Sequence, residues 1–257
     1  MEQEIHKSYP MVSIVMPAYN SGAYIESSIN SVVSQTLNSW ELIVVDDCSI
    51  DNTVDIVNRY CDRDSRISLV RNSINQGAAK SRNLAISKAK GRFIAFLDSD
   101  DLWMPRKLEI QVNYMLTNKD VNFTCSAYNV IDEGNNIISS FIPPERAKYK
   151  DLLKTCSVGC STVIYDCKAL EKHYMPNIRR RQDYALWLRL LKVGNGEVYG
   201  IREHLASYRI GKSSLSSNKM KAALGQWKVY RQIERLTILR ALYYFTVYAF
   251  NGMRKYK

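Results

Sequence analysis

The stretch RFIAFLDSDD, residues 92–101, joins a short apolar run to three aspartates. Residues 92–97 are rich in aromatic and branched side chains and stop at a turn-forming residue, which predicts a buried β-strand. Three runs of the same kind stand earlier in the chain, each ended by Pro, Asp or Asn: residues 12–16 (VSIVM), 41–45 (ELIVV) and 66–70 (RISLV). The N-terminal part of the chain therefore predicts four buried strands.

Segments with helical spacing separate these strands. Apolar residues recur every three or four positions in residues 22–35, 52–62 and 75–89, as Ile25 and Ile29 illustrate. Strands that alternate with helices of this length need right-handed crossovers, which predicts an α/β fold: a Rossmann-like, mostly parallel sheet with helices on both faces. Ligands bind outside the carboxyl ends of the strands in such sheets. The polar residues at the strand ends are therefore the candidate site.

The pattern after residue 105 is mixed and less regular. The chain has 257 residues, of which 46% are apolar, and it contains neither a repeat nor a linker, so we expect one large domain with a helical appendage. The predicted elements are a helix over 105–118, a strand over 121–131, a hairpin at 133–136, a helix over 183–193, and strands near 196–201 and 205–210.

The acidic cluster at the end of the fourth strand is a candidate metal site. Asp98, Asp100 and Asp101 bring three like charges close together, which is costly unless a cation neutralises them. Carboxylate oxygens suit Mg²⁺ or Mn²⁺, held by one or two carboxylates and by substrate phosphates. The alternative is that Asp100 and Asp101 cap the helix that follows.

Two other strand ends carry polar residues that could line the same crevice. Asp47 could accept a hydrogen bond from a nucleoside base, and the ring of Tyr19 could lie against a flat base. The alternative for Asp47 is a turn into the next helix, since Ser49 and Asp51 are nearby.

The C-terminal segment, residues 216–257, is basic and amphipathic. From residue 219 it contains nine Lys or Arg residues and a single Glu, a net charge of +8 out of +11 for the whole chain. Its apolar runs are shorter than the roughly 20 residues that a membrane span needs. A basic helix with aromatic residues favours an anionic membrane surface; packing on the main domain is the alternative. Nucleic acid is a poorer fit, because acidic residues dominate the presumed cleft.

Cysteine usage and the N-terminus indicate a cytoplasmic protein. The six cysteines form no C-x-x-C pair, and no secretory signal peptide is evident. We expect reduced thiols.

Five motifs in a fixed order resemble those of family 2 glycosyltransferases with the GT-A fold, and the resemblance extends to about residue 215. They are VSIVMPAYN (12–20), ELIVVDDCSIDNT (41–53), NQG (75–77) with SRN (81–83), FLDSDD (96–101) followed by Trp103 and Pro105, and RQDYALWLRLL (181–191). The resemblance implies a GT-A catalytic domain over residues 1–215. Its nucleotide-sugar half would cover about 10–104 and its acceptor half about 105–215.

The resemblance also implies roles for individual residues. Asp183 matches the catalytic base, and Asp100 the main protein ligand of a Mn²⁺ or Mg²⁺ ion, with Asp98 and Asp101 as possible further ligands. Arg82 would lie beside the diphosphate or orient an aspartate. The expected nucleotide-binding residues are Pro17, Tyr19, Asn20, Asp46, Asp47, Arg82, Asp98 and Ser99, and the expected acceptor contacts are Trp103, Arg181 and Gln182.

The sequence departs from the family pattern at two places. Gln182 stands where Glu is common before the base, which removes a charge but keeps hydrogen bonding. The segment Tyr208-Arg209-Ile210-Gly211 lacks the His of a Tyr-Arg-x-His motif, so a cation would depend more on Asp100, phosphate and water.

The function implied by the resemblance is inverting transfer of a sugar, by single displacement, from a nucleotide donor such as a UDP-sugar. The expected acceptor is a saccharide on a polyprenyl diphosphate, as in O-antigen or exopolysaccharide synthesis, at the inner face of the cytoplasmic membrane. Arg179, Arg180 and Arg181 could steer its diphosphate or form a solvated loop. Two alternatives are a nucleotidyltransferase and a non-catalytic membrane scaffold that binds a sugar nucleotide.

Overall fold

The computed structural model describes residues 9–211 and 219–254. Its first four strands form the parallel half of a ten-stranded sheet in the order β3-β2-β1-β4, and each neighbouring pair is parallel. This confirms the four predicted strands: β1 (Val12–Ala18), β2 (Trp40–Asp46), β3 (Ile67–Arg71) and β4 (Phe93–Phe96).

Helices cover both faces of this half. Ile14 and Met16 of β1 pack with Ile29 of α1 on one face, whereas Val15 packs with Ile86 of α3 on the other. The alternation arises because successive side chains of a strand point to opposite faces. The helices between the strands are α1 (Ile25–Val33), α2 (Thr53–Cys61) and α3 (Ala78–Lys88).

The second half of the sheet is mixed, as the sequence predicts. The order continues from β4 through β9, β6 and β10 to β5, and β9 runs antiparallel to both of its neighbours. Its strands are β5 (Leu102–Trp103), β6 (Phe123–Ile131), β7 (Ile137–Phe141), β8 (Arg146–Lys148), β9 (Ile164–Asp166) and β10 (Glu197–Arg209). Its helices are α4 (Lys107–Thr117), α5 (Tyr149–Lys154), α6 (Cys167–Leu170) and α7 (Gln182–Val193).

The two strands predicted near residues 196–201 and 205–210 are one strand, β10. Its pairing with β6 shifts register between Ile201 and His204, and again between His204 and Ala206. These irregularities interrupt the alternation of apolar residues, which is why the sequence pattern suggested two strands.

The tail forms α8 (Lys219–Lys228), a π-helical turn (Val229–Ile233) and α9 (Ile238–Arg254). One side of it packs on the main domain, since Val229, Tyr230 and Ala241 are fully buried. The tail boundary expected at residue 216 lies outside the described residues, as do the basic residues 255–257.

The described part of α9 also presents an apolar side to solvent. Leu239 is 81% exposed, and Leu242, Tyr243 and Phe250 are about half exposed. Within residues 9–211 and 219–254, no helix has both the length and the apolar character required to cross a membrane. The packing alternative is thus confirmed for one side of the tail, and membrane contact by the other remains a prediction.

Candidate active site

The loops after β1 and β2 are joined by Asn20. Its backbone adopts φ 48°, a left-handed conformation that Asn tolerates well. The Asn20 amide nitrogen donates to Ser49 Oγ at 2.9 Å, and its side-chain oxygen accepts from the Ile50 amide at 2.9 Å. Beside it, Tyr19 is 51% exposed and leaves its ring available to a base, whereas Pro17 is buried within β1.

Asp47 fixes the loop between β3 and α3. Its carboxylate accepts hydrogen bonds from the amides of Gln76 and Gly77, at 2.8 and 2.7 Å, and from Asn72 Nδ2 at 2.7 Å. A nucleoside base would therefore share this carboxylate with three protein donors. Asp46 is fully buried, and the Ser49 amide lies 3.3 Å from both of its carboxylate oxygens.

Arg82 of α3 forms a buried ion pair with Asp98. Burial acts to lower the pKa of Arg82, but the negative charge of Asp98, with a smaller contribution from Asp183, outweighs it and raises that pKa. Arg82 is only 6% exposed, and its Nε and Nη1 have no hydrogen-bond partner among the described residues. The guanidinium is therefore a buried charge that acts on Asp98 at the end of β4 and on Asp183 in α7.

Hydroxyl groups hold the acidic loop after β4. Ser28 of α1 donates to the carbonyl oxygens of Ser99 and Asp101, at 2.9 and 2.8 Å, and Ser21 Oγ lies 2.7 Å from Ser99 Oγ. Ser161 donates from Oγ to an Asp101 oxygen at 2.5 Å. The sequence analysis missed Ser21, Ser28 and Ser161, because a single serine carries no pattern that marks it as a partner of a distant loop.

Asp100 and Asp101 differ in their surroundings. Asp101 is buried, and its second carboxylate oxygen accepts the Arg209 amide at 2.9 Å, so both oxygens are engaged by the protein. Asp100 reaches solvent, and no side chain of the described residues donates a hydrogen bond to it. Loss of hydration, followed by the charge of Asp98, raises the pKa of Asp100 to about 6, while Arg209 and Arg82 act in the opposite direction.

The carboxylates of the acidic loop suit a divalent cation whose remaining ligands come from the substrate and water. No group of three or more metal-ligating side chains is preformed among residues 9–211 and 219–254. Asp100 is open, and Asp98 has one oxygen not used by Arg82. Mg²⁺ and similar hard cations bind through one or two carboxylates and take phosphate oxygens and water for the rest. The residues therefore fit such an ion, with Asp101 as a support of the loop.

Arg209 supports the acidic loop through hydrogen bonds, a role that the sequence analysis missed. Its guanidinium donates to the Asp100 carbonyl at 2.8 Å, the Asp132 carbonyl at 3.0 Å and Asn135 Oδ1 at 2.8 Å. It also lies over the ring of Tyr24, 4.6 Å from the centroid. The buried guanidinium thus links β10, the β6–β7 turn and the loop that carries Asp100.

Asp183 lies in the first turn of α7, and its charge acts on Arg82. The Asp183 side chain is half-buried. Its neighbour Gln182 is buried, and Oε1 of Gln182 has no hydrogen-bond partner within residues 9–211 and 219–254. Arg181 precedes the helix in a left-handed conformation, φ 64°. The predicted base and the predicted metal ligands thus act on one buried cation, although Asp183 is 83 residues from Asp100 in the sequence.

The model for the family described as "Glycosyl transferase family 2" matches residues 13–174. The chain belongs to this family. One relative is TuaG of Bacillus subtilis (strain 168), named as a putative teichuronic acid biosynthesis glycosyltransferase. TuaG is 45% identical to this chain, over 96% of the chain and 97% of TuaG. WfgD of Escherichia coli, named as a UDP-Glc:α-D-GlcNAc-diphosphoundecaprenol β-1,3-glucosyltransferase, is 42% identical over 96% of this chain and 95% of the relative.

A solved structure shares the fold of the transferase. S. aureus TarS residues 1–349, crystallised with UDP-GlcNAc, matches with a TM-score of 0.68 at 21% identity, over 90% of this chain and 69% of that chain. The predicted GT-A fold and the predicted family are therefore confirmed, and the chain is a transferase enzyme. The nucleotidyltransferase and scaffold alternatives find no support.

Of the three predicted acceptor contacts of the transferase, Trp103 and Gln182 are buried and Arg181 is half-buried. Trp103 is 3% exposed, and its indole N–H donates to the Ser161 carbonyl at 2.7 Å. Arg181 lies over the ring of Tyr248 in α9, 5.4 Å from the centroid. These contacts support structural roles for both side chains, and direct contact with an acceptor remains a prediction.

Proposed function

We propose that the transferase moves a sugar from a UDP-sugar to a saccharide hydroxyl, with inversion at the anomeric carbon. The observation that carries the proposal is the placement of Arg82, whose buried charge acts on Asp98 at the end of β4 and on Asp183 in α7. A donor lying along the strand ends would have its diphosphate near Asp98 and its sugar toward Asp183. The names of WfgD and of the TarS complex, with UDP-Glc and UDP-GlcNAc, support a UDP-sugar donor.

The base in this proposal is Asp183. As an acceptor hydroxyl oxygen attacks the anomeric carbon, its proton passes to the Asp183 carboxylate, and the bond from that carbon to the phosphate oxygen breaks. The electron pair leaves with the nucleotide diphosphate. Attack from the face opposite the leaving group inverts the configuration. The first turn of α7 places this carboxylate at the positive end of the helix dipole.

The leaving group is stabilised at the acidic loop. Asp100, with Asp98, would hold a Mn²⁺ or Mg²⁺ ion, which supplies positive charge to the departing diphosphate. Mannosyltransferase PcManGT from Pyrobaculum calidifontis was solved with GDP-Man and Mn²⁺, and it shares the fold with a TM-score of 0.67 at 18% identity, over 93% of this chain and 70% of that chain. Arg82 fixes the orientation of Asp98. The sequence analysis left two roles open for Arg82, beside the diphosphate or orienting an aspartate, and this is the second of them.

The acceptor in this proposal is a saccharide on a polyprenyl diphosphate, met at the inner face of the cytoplasmic membrane. The name of WfgD includes such an acceptor. On α9, the exposed side chains of Leu239, Leu242 and Tyr243 lie beside the exposed Arg240. A helix with apolar and basic side chains on its outer side suits an anionic membrane surface.

Release of UDP from a panel of UDP-sugars, with Mn²⁺ and lipid-diphosphate-linked saccharides, tests the proposal. Asp183→Asn should lower kcat by about 10²- to 10⁴-fold and leave the affinity for the UDP-sugar within about threefold, because it removes only proton transfer. Asp55→Asn is a matched control, since Asp55 also lies in the first turn of a helix, α2, and is exposed. Retention of most activity in Asp183→Asn would contradict the proposed base.

A further inference from the structure

The tail contacts the segment that enters α7, which carries the predicted base. Gly225 of α8 lies against the segment that enters α7. A Cβ atom at position 225 would lie 3.2 Å from the Cβ of Arg180 and 3.5 Å from the Cγ of Arg181. The first distance is shorter than an ordinary van der Waals contact, so even the methyl group of alanine at this position requires a shift of a few tenths of an ångström between α8 and the segment.

Arg181 is held by the tail on a second side. Its guanidinium lies 5.4 Å from the ring centroid of Tyr248 in α9, within the range of a cation–π contact. Its backbone is left-handed, φ 64°, which is unfavourable for a residue with a Cβ and persists when surrounding contacts impose it. The Arg181 carbonyl then accepts the Ala185 amide at 3.0 Å, so this residue starts the helix on which Asp183 stands.

The tail also binds the far end of the same helix. Glu234, in the turn between α8 and α9, forms an ion pair with Lys192 at 2.5 Å and accepts a hydrogen bond from Tyr149. Asn251 of α9 donates to the Lys154 carbonyl at 3.1 Å. The tail therefore contacts both ends of α7 and the adjacent α5, and it can fix the position of α7 as a unit.

We infer that the tail is a positioning element of the catalytic centre: α8 and α9 hold Arg181 in its left-handed conformation and thereby set the direction of the Asp183 carboxylate. Arg181 is in this view a positioning residue. The inference rests on the proposed function, because it assumes that Asp183 is the base. The tail would then have two roles. Its buried side positions α7, and the exposed side of α9 makes the membrane contact proposed above.

Two glycines of the tail provide a matched test. Gly225→Ala and Gly252→Ala both replace a helical glycine of the tail, but a Cβ at 252 meets no atom of the described residues within 4 Å. We expect Gly225→Ala to lower kcat by about tenfold at unchanged KM for the UDP-sugar, since a small displacement of a catalytic group is costly. Gly252→Ala should match the wild type.

Hydrogen exchange gives a readout that does not depend on activity. The amide of Ala185, which donates to the Arg181 carbonyl, should exchange about tenfold faster in Gly225→Ala than in Gly252→Ala. Equal exchange in the two variants overturns the inference. Asp183→Asn separates this failure from that of the proposed function, because an active Asp183→Asn enzyme refutes the base itself, whatever the glycine variants show.

Substitution of Arg181 separates positioning from acceptor contact. Arg181→Met keeps the aliphatic stem but removes the cation over Tyr248, and we expect kcat to fall about tenfold at nearly constant KM for the acceptor. Arg181→Lys keeps a cation and should recover at least half of the wild-type kcat. A rise in acceptor KM at constant kcat would contradict positioning and support the direct contact predicted from the sequence.

Discussion

Replacement of Arg209 by Met should destabilise the transferase by about 1.5–4 kcal/mol. Arg209 is 3% exposed and donates from its guanidinium to the Asp100 carbonyl at 2.8 Å and to the Asp132 carbonyl at 3.0 Å. A buried acceptor left without its donor costs about 1–3 kcal/mol. Loss of the contact with the Tyr24 ring adds about 0.5–1 kcal/mol. The acceptors in the β6–β7 turn regain water, because residues 133–136 of this turn are exposed. This hydration limits the loss of stability in Arg209→Met.

Urea unfolding, followed by tryptophan fluorescence, measures this change. Arg202→Met is the control on the same strand, since Arg202 is 64% exposed and lies 4.0 Å from the exposed Glu145. The control should change the free energy of unfolding by less than about 0.5 kcal/mol. A loss below about 1 kcal/mol in Arg209→Met would refute the reasoning that this guanidinium supports the acidic loop.

Three further predictions concern the cation and the membrane. Mn²⁺ affinity, measured by calorimetry, should rise from pH 5 to 7 and level off above it, because only the ionised Asp100 binds the cation and the pKa of Asp100 is about 6; a flat profile would argue against Asp100 as a ligand. Asp100→Ala should lower Mn²⁺ affinity by at least about tenfold, whereas Asp101→Asn should act mainly on stability. Leu239→Asp should weaken binding to vesicles that contain phosphatidylglycerol by about tenfold, and Ile137→Asp, at a 65% exposed position of β7, should not.

The parallel half of the sheet could be predicted because its signals are local. Each strand is a short apolar run, each helix has a regular period, and the carboxyl ends of parallel strands must meet at one edge. Asp47 and Asp98 follow the carboxyl ends of β2 and β4, the two neighbours of β1, as this rule predicts. The sequence order of these elements is also close to their spatial order.

The supports of the site could not be predicted, because they join residues that are far apart in the sequence. Arg209 and the Asp100 carbonyl are 109 positions apart, and Ser161 and Asp101 are 60 apart. The antiparallel insertion of β9 between β4 and β6 creates the second of these contacts. Nothing in the local pattern of residues 160–166 specifies which strands they join.

The sequence predicted an amphipathic tail but did not decide whether its apolar side faces the protein or a membrane, for a physical reason. An amphipathic helix with aromatic residues has the same composition whether its apolar side faces a protein or a membrane. In α9 the apolar residues occupy more than one side, so Ala241 is buried while Leu239 is 81% exposed. The helix therefore accommodates both interpretations on different sides.

The anomeric configuration of the transferred sugar tests the proposed inversion. An α-linked UDP-sugar should give a β-linked product in the presence of Mn²⁺, as read from the anomeric proton coupling in the NMR spectrum of the product. A single displacement with Asp183 as the base allows no other outcome. An α-linked product would contradict the account, because retention requires a second displacement or attack from the side of the leaving group.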